Sequence, residues 1–175
     1  MTDRTRRFEA AALPHLDAAY NLARWLLRDE HNAQDVVQEA YLRGFRFFDN
    51  FRGGDARPWL LGIVRNTCYT WLRNSGQAPE HVEFDEERDS RSHDAALPMA
   101  EDNPETLLMQ KHERARLDKA IEELSPEFRE VVVLRELEDL SYKEIAQVAA
   151  IPLGTVMSRL ARARAMLRSA LNRAD

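Results

Sequence analysis

Cysteine is almost absent from this sequence: Cys68 stands alone among 175 residues. A lone thiol excludes an intrachain disulfide and fits a reducing compartment such as the cytoplasm. His15, His31, His81, His93 and His112 never fall at ligand spacing with it, so no metal site is expected. Long apolar runs are missing as well. The opening Met1-Thr2-Asp3-Arg4-Thr5-Arg6-Arg7 leads into no apolar signal core, and no uncharged stretch suits a membrane span. Nothing shows the two-residue alternation of strands, and no internal repeat appears, which leaves an all-α chain. Neither a nucleophile–base pair nor a glycine-rich phosphate loop is present. Neither enzymatic activity nor a cofactor is therefore expected.

One further absence is local. The chain carries a formal charge of −5, yet from Gly154 to Ala174 it has no acid at all. Arg159, Arg162, Arg164, Arg168 and Arg173 occupy that stretch. The acidity sits elsewhere: residues 75–104 hold nine acids against Arg88 and Arg91, which leaves the remainder slightly basic.

Helical periodicity runs from Phe8 to Asn74, with turns at Asp29–Asn32 and Asn50–Arg57 and a helix begun or kinked at Pro14. It fails from Ser75 to Asn103, where Gly, Pro, Ser, Asp and Glu dominate as in a linker. It resumes at Asn103-Pro104-Glu105, a cap followed by a first-turn proline and an acid, and Ser125-Pro126-Glu127 repeats that signal. The expected organisation is two small helical domains, 1–74 and 104–175, joined by a flexible acidic linker at 75–103.

Ser141-Tyr142-Lys143-Glu144 has the form of a capping box, and Ile151-Pro152-Leu153-Gly154 joins it to the arginine-bearing pattern. A short capped helix, a tight turn and a basic helix are the plan of a helix-turn-helix, whose second helix enters the DNA major groove. Val156, Leu160, Ala163, Leu167 and Leu171 share one face and should pack inward. Met157, Ser158, Ala161, Arg162 and Ala165 lie opposite. Thr155 is expected as the N-cap, leaving backbone N–H groups for a phosphate. Arg162 suits a guanine edge, Ser158 a base or phosphate, and Arg159 and Arg164 the DNA backbone. A surface helix with merely solvated arginines is the plainer reading, against which stand the turn, the caps and the missing acids.

In the first block, Leu60, Leu61, Val64, Cys68, Trp71 and Leu72 form an apolar face, with Cys68 as packing. Trp59, Gly62, Asn66, Thr70 and Arg73 fall opposite. An exposed Trp59 can stack on an unpaired base; core packing from the helix start is the competing account. Between Asp35 and Phe48, Val36, Val37, Ala40, Tyr41, Gly44, Phe45, Phe47 and Phe48 cover the inner face. Asp35, Gln38, Glu39, Leu42 and Arg46 make the outer one, an apolar anchor rimmed by charge. Asn50-Phe51-Arg52-Gly53-Gly54-Asp55 can shape a pocket, with Phe51 as a wall.

At these residues the chain resembles a bacterial sigma factor of the extracytoplasmic-function group. The resemblance rests on Asp35-Val36-Val37-Gln38-Glu39-Ala40, on Phe51-Arg52-Gly53 with Pro58-Trp59-Leu60, and on Arg65-Asn66-Thr67. It continues through Leu124-Ser125-Pro126, Val131-Val132-Val133-Leu134-Arg135, Leu140-Ser141-Tyr142-Lys143-Glu144-Ile145-Ala146 and Gly154-Thr155-Val156 to Ala161-Arg162-Ala163-Arg164. It covers residues 8–74 and 104–172. The resemblance implies a subunit that docks on core RNA polymerase and directs promoter-specific initiation, restrained by an anti-sigma factor. It implies that Asp35, Gln38, Glu39, Leu42 and Arg46 meet the clamp helices of the β′ subunit, and that the β flap of the core enzyme is a further partner. It implies minus-ten melting by Phe51, Arg52, Trp59, Asn66, Thr70 and Arg73. Minus-thirty-five reading falls to Thr155, Met157, Ser158, Arg159, Ala161, Arg162 and Arg164. By the same analogy the linker threads the polymerase as a nucleic-acid mimic, against the alternative of a solvated tether.

Three departures stand out. Met157 replaces a base-reading arginine of several relatives, Ala161 an aromatic, and Gly62 an arginine on the melting face. The competing functions are a free-standing helix-turn-helix regulator and an adaptor that sequesters a regulatory protein.

Overall fold

The computed structural model describes residues 1–76 and 104–173, all-helical with connecting turns. Apart from Ser75 and Gly76, the stretch expected to be a linker lies outside the described residues. The first half comprises α1 (Asp3–Ala12), α2 (Leu16–Leu27), α3 (Glu30–Arg46) and α4 (Ala56–Asn74), with 3₁₀ turns at Leu13–His15 and Phe48–Asn50. The second comprises α5 (Pro104–Glu123), α6 (Pro126–Val132), α7 (Tyr142–Ala149) and α8 (Leu153–Asn172).

Local chemistry sets most boundaries. Pro14 falls in the 3₁₀ turn between α1 and α2. Arg28 ends α2 in the left-handed region (φ 56°), and the Asp29 carboxylate accepts from Asn32 N at 2.8 Å to start α3. The turn expected at Asp29–Asn32 is therefore shorter, because α3 already runs from Glu30. Asp55 caps α4 by accepting from Arg57 N at 3.0 Å. The capping box is present: Glu144 N donates to Ser141 Oγ at 3.1 Å, and Ser141 N to Glu144 Oε1 at 3.0 Å. Past α6 the helix widens into a π turn over Val133–Leu137, with Glu138 N donating to Val133 O at 3.0 Å.

Two expectations are corrected. Thr155 is not the N-cap of α8, which begins at Leu153 after Pro152; Thr155 N already donates to Pro152 O at 3.0 Å. Pro152 brings fixed backbone geometry but no side-chain cap. Phe47 is exposed, because α3 stops at Arg46 and the chain turns outward there.

The two halves pack on one another. A single core joins Leu22, Leu26, Val36, Leu61 and Val64 of the first to Val131, Leu134, Ile145, Val148 and Leu160 of the second. Arg129, nearly fully buried on α6, reaches the end of α2 and donates to Trp25 O at 2.8 Å and Leu26 O at 3.2 Å, besides Leu124 O at 2.6 Å. Carbonyls at a helix C-terminus lack intrahelical donors and carry partial negative charge, so a cation fits there. Burial, with Arg28 nearby, lowers the Arg129 pKa to about 10, still charged at neutral pH. Asn21 Nδ2 donates to Glu138 Oε1 at 2.6 Å across the same boundary. α7 lies against α4 at Gly62, where a Cβ would make ordinary contact with Val148 O at 3.6 Å.

Candidate nucleic-acid interface

Three surfaces carry the residues singled out by the sequence. On α3, Asp35, Gln38, Glu39, Leu42 and Arg46 are all exposed on the side away from the buried Val36, Val37 and Ala40. Leu42 is 63% exposed and heads a largely apolar groove of about 790 Å³, lined also by Phe8, Leu13, Leu16, Tyr20 and Val37. Glu39 pairs with Arg43 at 2.7 Å along the same helix.

The second surface is divided. Phe51, Arg52 and Trp59 line a cleft of about 650 Å³ with Asn50, Asp55 and Pro58. Gly53 (φ 87°) and Gly54 (φ 80°) turn the loop that forms its rim, in a region closed to most side chains. Trp59 is not the free indole expected. It is half-buried, 5.1 Å from the Phe51 ring centroid and 6.2 Å from that of Phe48, in a cluster with Phe8 and Leu60. Asn66, Thr70 and Arg73 form a separate strip further along α4. Thr70 Oγ1 donates to Asn66 O at 3.0 Å and accepts from Arg73 Nη2 at 3.3 Å. Trp59 and Asn66 are seven positions apart, roughly 10 Å along the helix axis.

The second half covers the gap between them. Glu144 and Gln147 of α7 form the far wall of the cleft, and Arg57 Nη2 lies 3.7 Å from Glu144 Oε2. Arg65 donates from Nε to Glu130 Oε2 at 2.9 Å and from Nη2 to Oε1 at 3.2 Å. Glu130 has no exposed side-chain surface, and Arg159 Nη1 of α8 stands 3.9 Å from Oε1, the oxygen that also accepts from Arg65 Nη2. The Arg65 guanidinium also lies over the Tyr69 ring, 4.1 Å from its centroid. Burial pushes the Glu130 carboxyl upward, against the hydrogen bonds and charge of Arg65. For Arg65 burial pulls downward, but the bidentate bond to Glu130 raises it on balance. Two hydrogen bonds from one guanidinium to both carboxylate oxygens favour the ionised form of the pair and offset its burial. Glu130, Tyr69 and Arg57 were not singled out from the sequence. The available signal was Arg129-Glu130 inside the apolar run Phe128–Leu134, where buried charges demand partners.

The third surface is α8. Val156, Leu160, Ala163 and Leu167 are buried as expected. Leu153, Gly154, Met157 and Ala165 are exposed, while Ser158, Ala161 and Arg162 are half-buried. Ser158 Oγ donates to Gly154 O at 2.9 Å. Arg159 is turned toward Glu130, its side chain only 16% exposed. Arg164 Nη2 donates to Glu136 Oε1 at 2.7 Å. Both flanking arginines thus hold acids of their own chain. Cys68 is fully buried and its thiol is pushed up to about 12 by burial, which suits packing and not redox chemistry. Among the described residues, no helix is long and apolar enough to cross a membrane.

Residues 12–77 match Sigma-70 region 2, and residues 114–167 match Sigma-70, region 4. The chain is 37% identical over 131 residues to the ECF RNA polymerase sigma-E factor of Escherichia coli, covering 74% of this chain and 69% of that one. It is 34% identical over 168 residues to the RNA polymerase sigma-H factor of Pseudomonas aeruginosa, covering 95% and 86%. Against the ECF RNA polymerase sigma factor SigE of Mycolicibacterium smegmatis it is 36% identical over 158 residues, but spans only 58% of that protein. Among solved structures, the sigma factor RpoE in complex with the anti-sigma factor NepR, from Bartonella quintana, superposes with a TM-score of 0.68 at 25% identity, over 95% of this chain and 98% of that one. CnrH in complex with the cytosolic domain of CnrY gives 0.64 at 26% identity, over 98% and 90%. With both regions matched in order and whole-length relatives of the same kind, the chain belongs to the sigma-70 family of RNA polymerase sigma factors, in its extracytoplasmic-function group.

Proposed function

We propose that this chain docks on core RNA polymerase in the cytoplasm and directs it to promoters, with no catalytic step of its own. One observation carries the reading: a polar-rimmed leucine face on α3, an aromatic cleft and the basic helix α8 occupy separate surfaces of one chain. Asp35, Gln38, Glu39, Leu42 and Arg46 meet the β′ clamp helices, and the second half meets the β flap. Phe51, Arg52 and Trp59 receive a flipped base of the minus-ten element, while Asn66, Thr70 and Arg73 follow the strand beside it. Arg162, Ser158, Met157 and Ala161 face the minus-thirty-five element, and Thr155 lies at the start of that helix. Arg159 and Arg164 reach DNA phosphates only if they release Glu130 and Glu136.

The closed arrangement is an off state in this reading. A base cannot use a cleft walled by Glu144 and Gln147 as it would an open one, and Arg65 is held away from the strand. Two of the solved structures that superpose over both halves are each in complex with a partner: the sigma factor RpoE with the anti-sigma factor NepR, and CnrH with the cytosolic domain of CnrY. An anti-sigma factor that favours closure, seated over the α3 face and its apolar groove, fits this chain too.

Run-off transcription with purified core polymerase on the promoter upstream of the chain's own gene tests the reading. Promoter-specific transcripts are expected, and Leu42→Asp abolishes both core binding and transcript while leaving the helical fold intact, since Leu42 is exposed. Tight promoter binding without polymerase, and no transcript with it, would instead identify a free-standing regulator.

A further inference from the structure

The outward face of α8 has an unusual chemistry for a basic helix. Over its first three turns the polar side chains are largely engaged inside the chain: Ser158 Oγ on Gly154 O at 2.9 Å, Arg159 beside Glu130 at 3.9 Å, and Arg164 on Glu136 at 2.7 Å. Gly154, Ala161 and Ala165 are small, and a Cβ at Gly154 would meet open space. Met157, 45% exposed, stands among them with nothing polar to offer. Small side chains let the helix axis come close to the groove floor. A thioether and a methyl group then make contacts and give no hydrogen-bond readout.

In the major groove a single base carries an apolar mark, the C5-methyl of thymine. We propose that the upstream reader selects its element through thymine methyl groups, with Met157 and Ala161 as the specificity-determining residues. Arg162 supplies the accompanying polar contact. This rests on the initiation-factor reading and names the chemistry of the DNA it selects. Duplexes rich in guanine at the same positions offer acceptors that Met157 and Ala161 cannot use, and such duplexes are disfavoured.

The test uses holoenzyme reconstituted from the full chain and core polymerase, with a promoter selected from a random-sequence pool. Each thymine of the upstream element is replaced singly by deoxyuridine, which removes the methyl and keeps every hydrogen bond. Wild-type holoenzyme should lose roughly fourfold in affinity at one or two positions, the value of one buried methyl group. At those positions 5-methylcytosine should bind better than cytosine. Met157→Ala should make thymine and deoxyuridine equal at one of them, and Met157→Leu should keep the difference. Equal binding of thymine and deoxyuridine at every position would overturn the proposal, as would an unchanged ratio in Met157→Ala. A chain that brings core polymerase to no promoter in the pool overturns the initiation-factor reading itself, and this proposal with it.

Discussion

The two surfaces proposed to face DNA are in opposite states. On α8 the outward positions Gly154, Met157 and Ala165 are open to solvent even with the halves packed together. On α4 the stretch between Trp59 and Asn66 lies under the second half, with Gly62 against Val148 and Arg65 bound to Glu130. The difference arises because the helix-turn-helix presents its two helices to different neighbours. Its first helix, α7, meets α4, while α8 packs back on α5, α6 and α7. Closure therefore covers the surface proposed for melting and leaves the proposed upstream reader exposed. A chain in this state could meet an upstream element yet not open DNA.

Glu130 breaks the symmetry of that division, because it touches both readers. Replacing it with glutamine removes the carboxylate that Arg65 grips with two hydrogen bonds in a buried site, a loss of about 3–5 kcal/mol by analogy with broken buried pairs. Both surfaces should respond. The denaturant midpoint falls, the halves separate in small-angle scattering, and upstream duplex binding changes because α8 loses a brace. A variant of normal stability would mean that Arg65 and Arg159 find other partners and that closure rests on apolar packing.

Gly62→Arg separates the two surfaces more cleanly. It improves the helix propensity of α4 by up to about 1 kcal/mol, so any loss of compactness belongs to the α4–α7 contact. A long, charged side chain beside the Val148 backbone should disfavour closure by up to about 1 kcal/mol, the lower end of overpacking costs. Binding of a single-stranded minus-ten oligonucleotide, measured by fluorescence anisotropy, should rise by up to about fivefold by the same energy. Upstream duplex affinity should stay as it was. An equal gain on both DNAs would show that α8 is also restrained.

Much of this was legible in the residues, and the gaps have physical causes. Caps and proline positions are local, so Ser141 with Glu144, Pro104, Pro126 and Pro14 marked their elements well. The outer face of α3 followed from periodicity alone. Thr155 misled because Pro152 can begin a helix without any side-chain cap, so the cap residue type gave the wrong start. Trp59 misled because the positions opposite a helix's core face need not be solvent: Phe48 and Phe51 come round from the preceding turn to cover it. The π turn after α6 has no compositional mark. Closure itself depends on which residues meet across a long sequence separation, and a charge pattern read along one helix does not reveal that. Arg65 belonged to a recognised motif, but only the fold shows that Glu130 holds it.

The smallest expected effect comes from the partly exposed Arg57–Glu144 pair at the mouth of the cleft. Glu144 has two roles: Oε1 accepts from Ser141 N at 3.0 Å in the capping box, and Oε2 lies 3.7 Å from Arg57 Nη2. Glutamine keeps an oxygen for the cap and removes only the charge facing Arg57. Each side chain of that pair is 28% exposed, so water screens it, and pairs of this kind contribute about 0.5 kcal/mol. Glu144→Gln should therefore leave thermal stability almost unchanged and raise minus-ten oligonucleotide binding by about twofold. High salt should remove even that difference, because wild type loses the same attraction to screening. A change of about 2 kcal/mol would exceed what such a pair supplies. It would place the main restraint of the closed state at the mouth of the cleft and not at the buried Glu130.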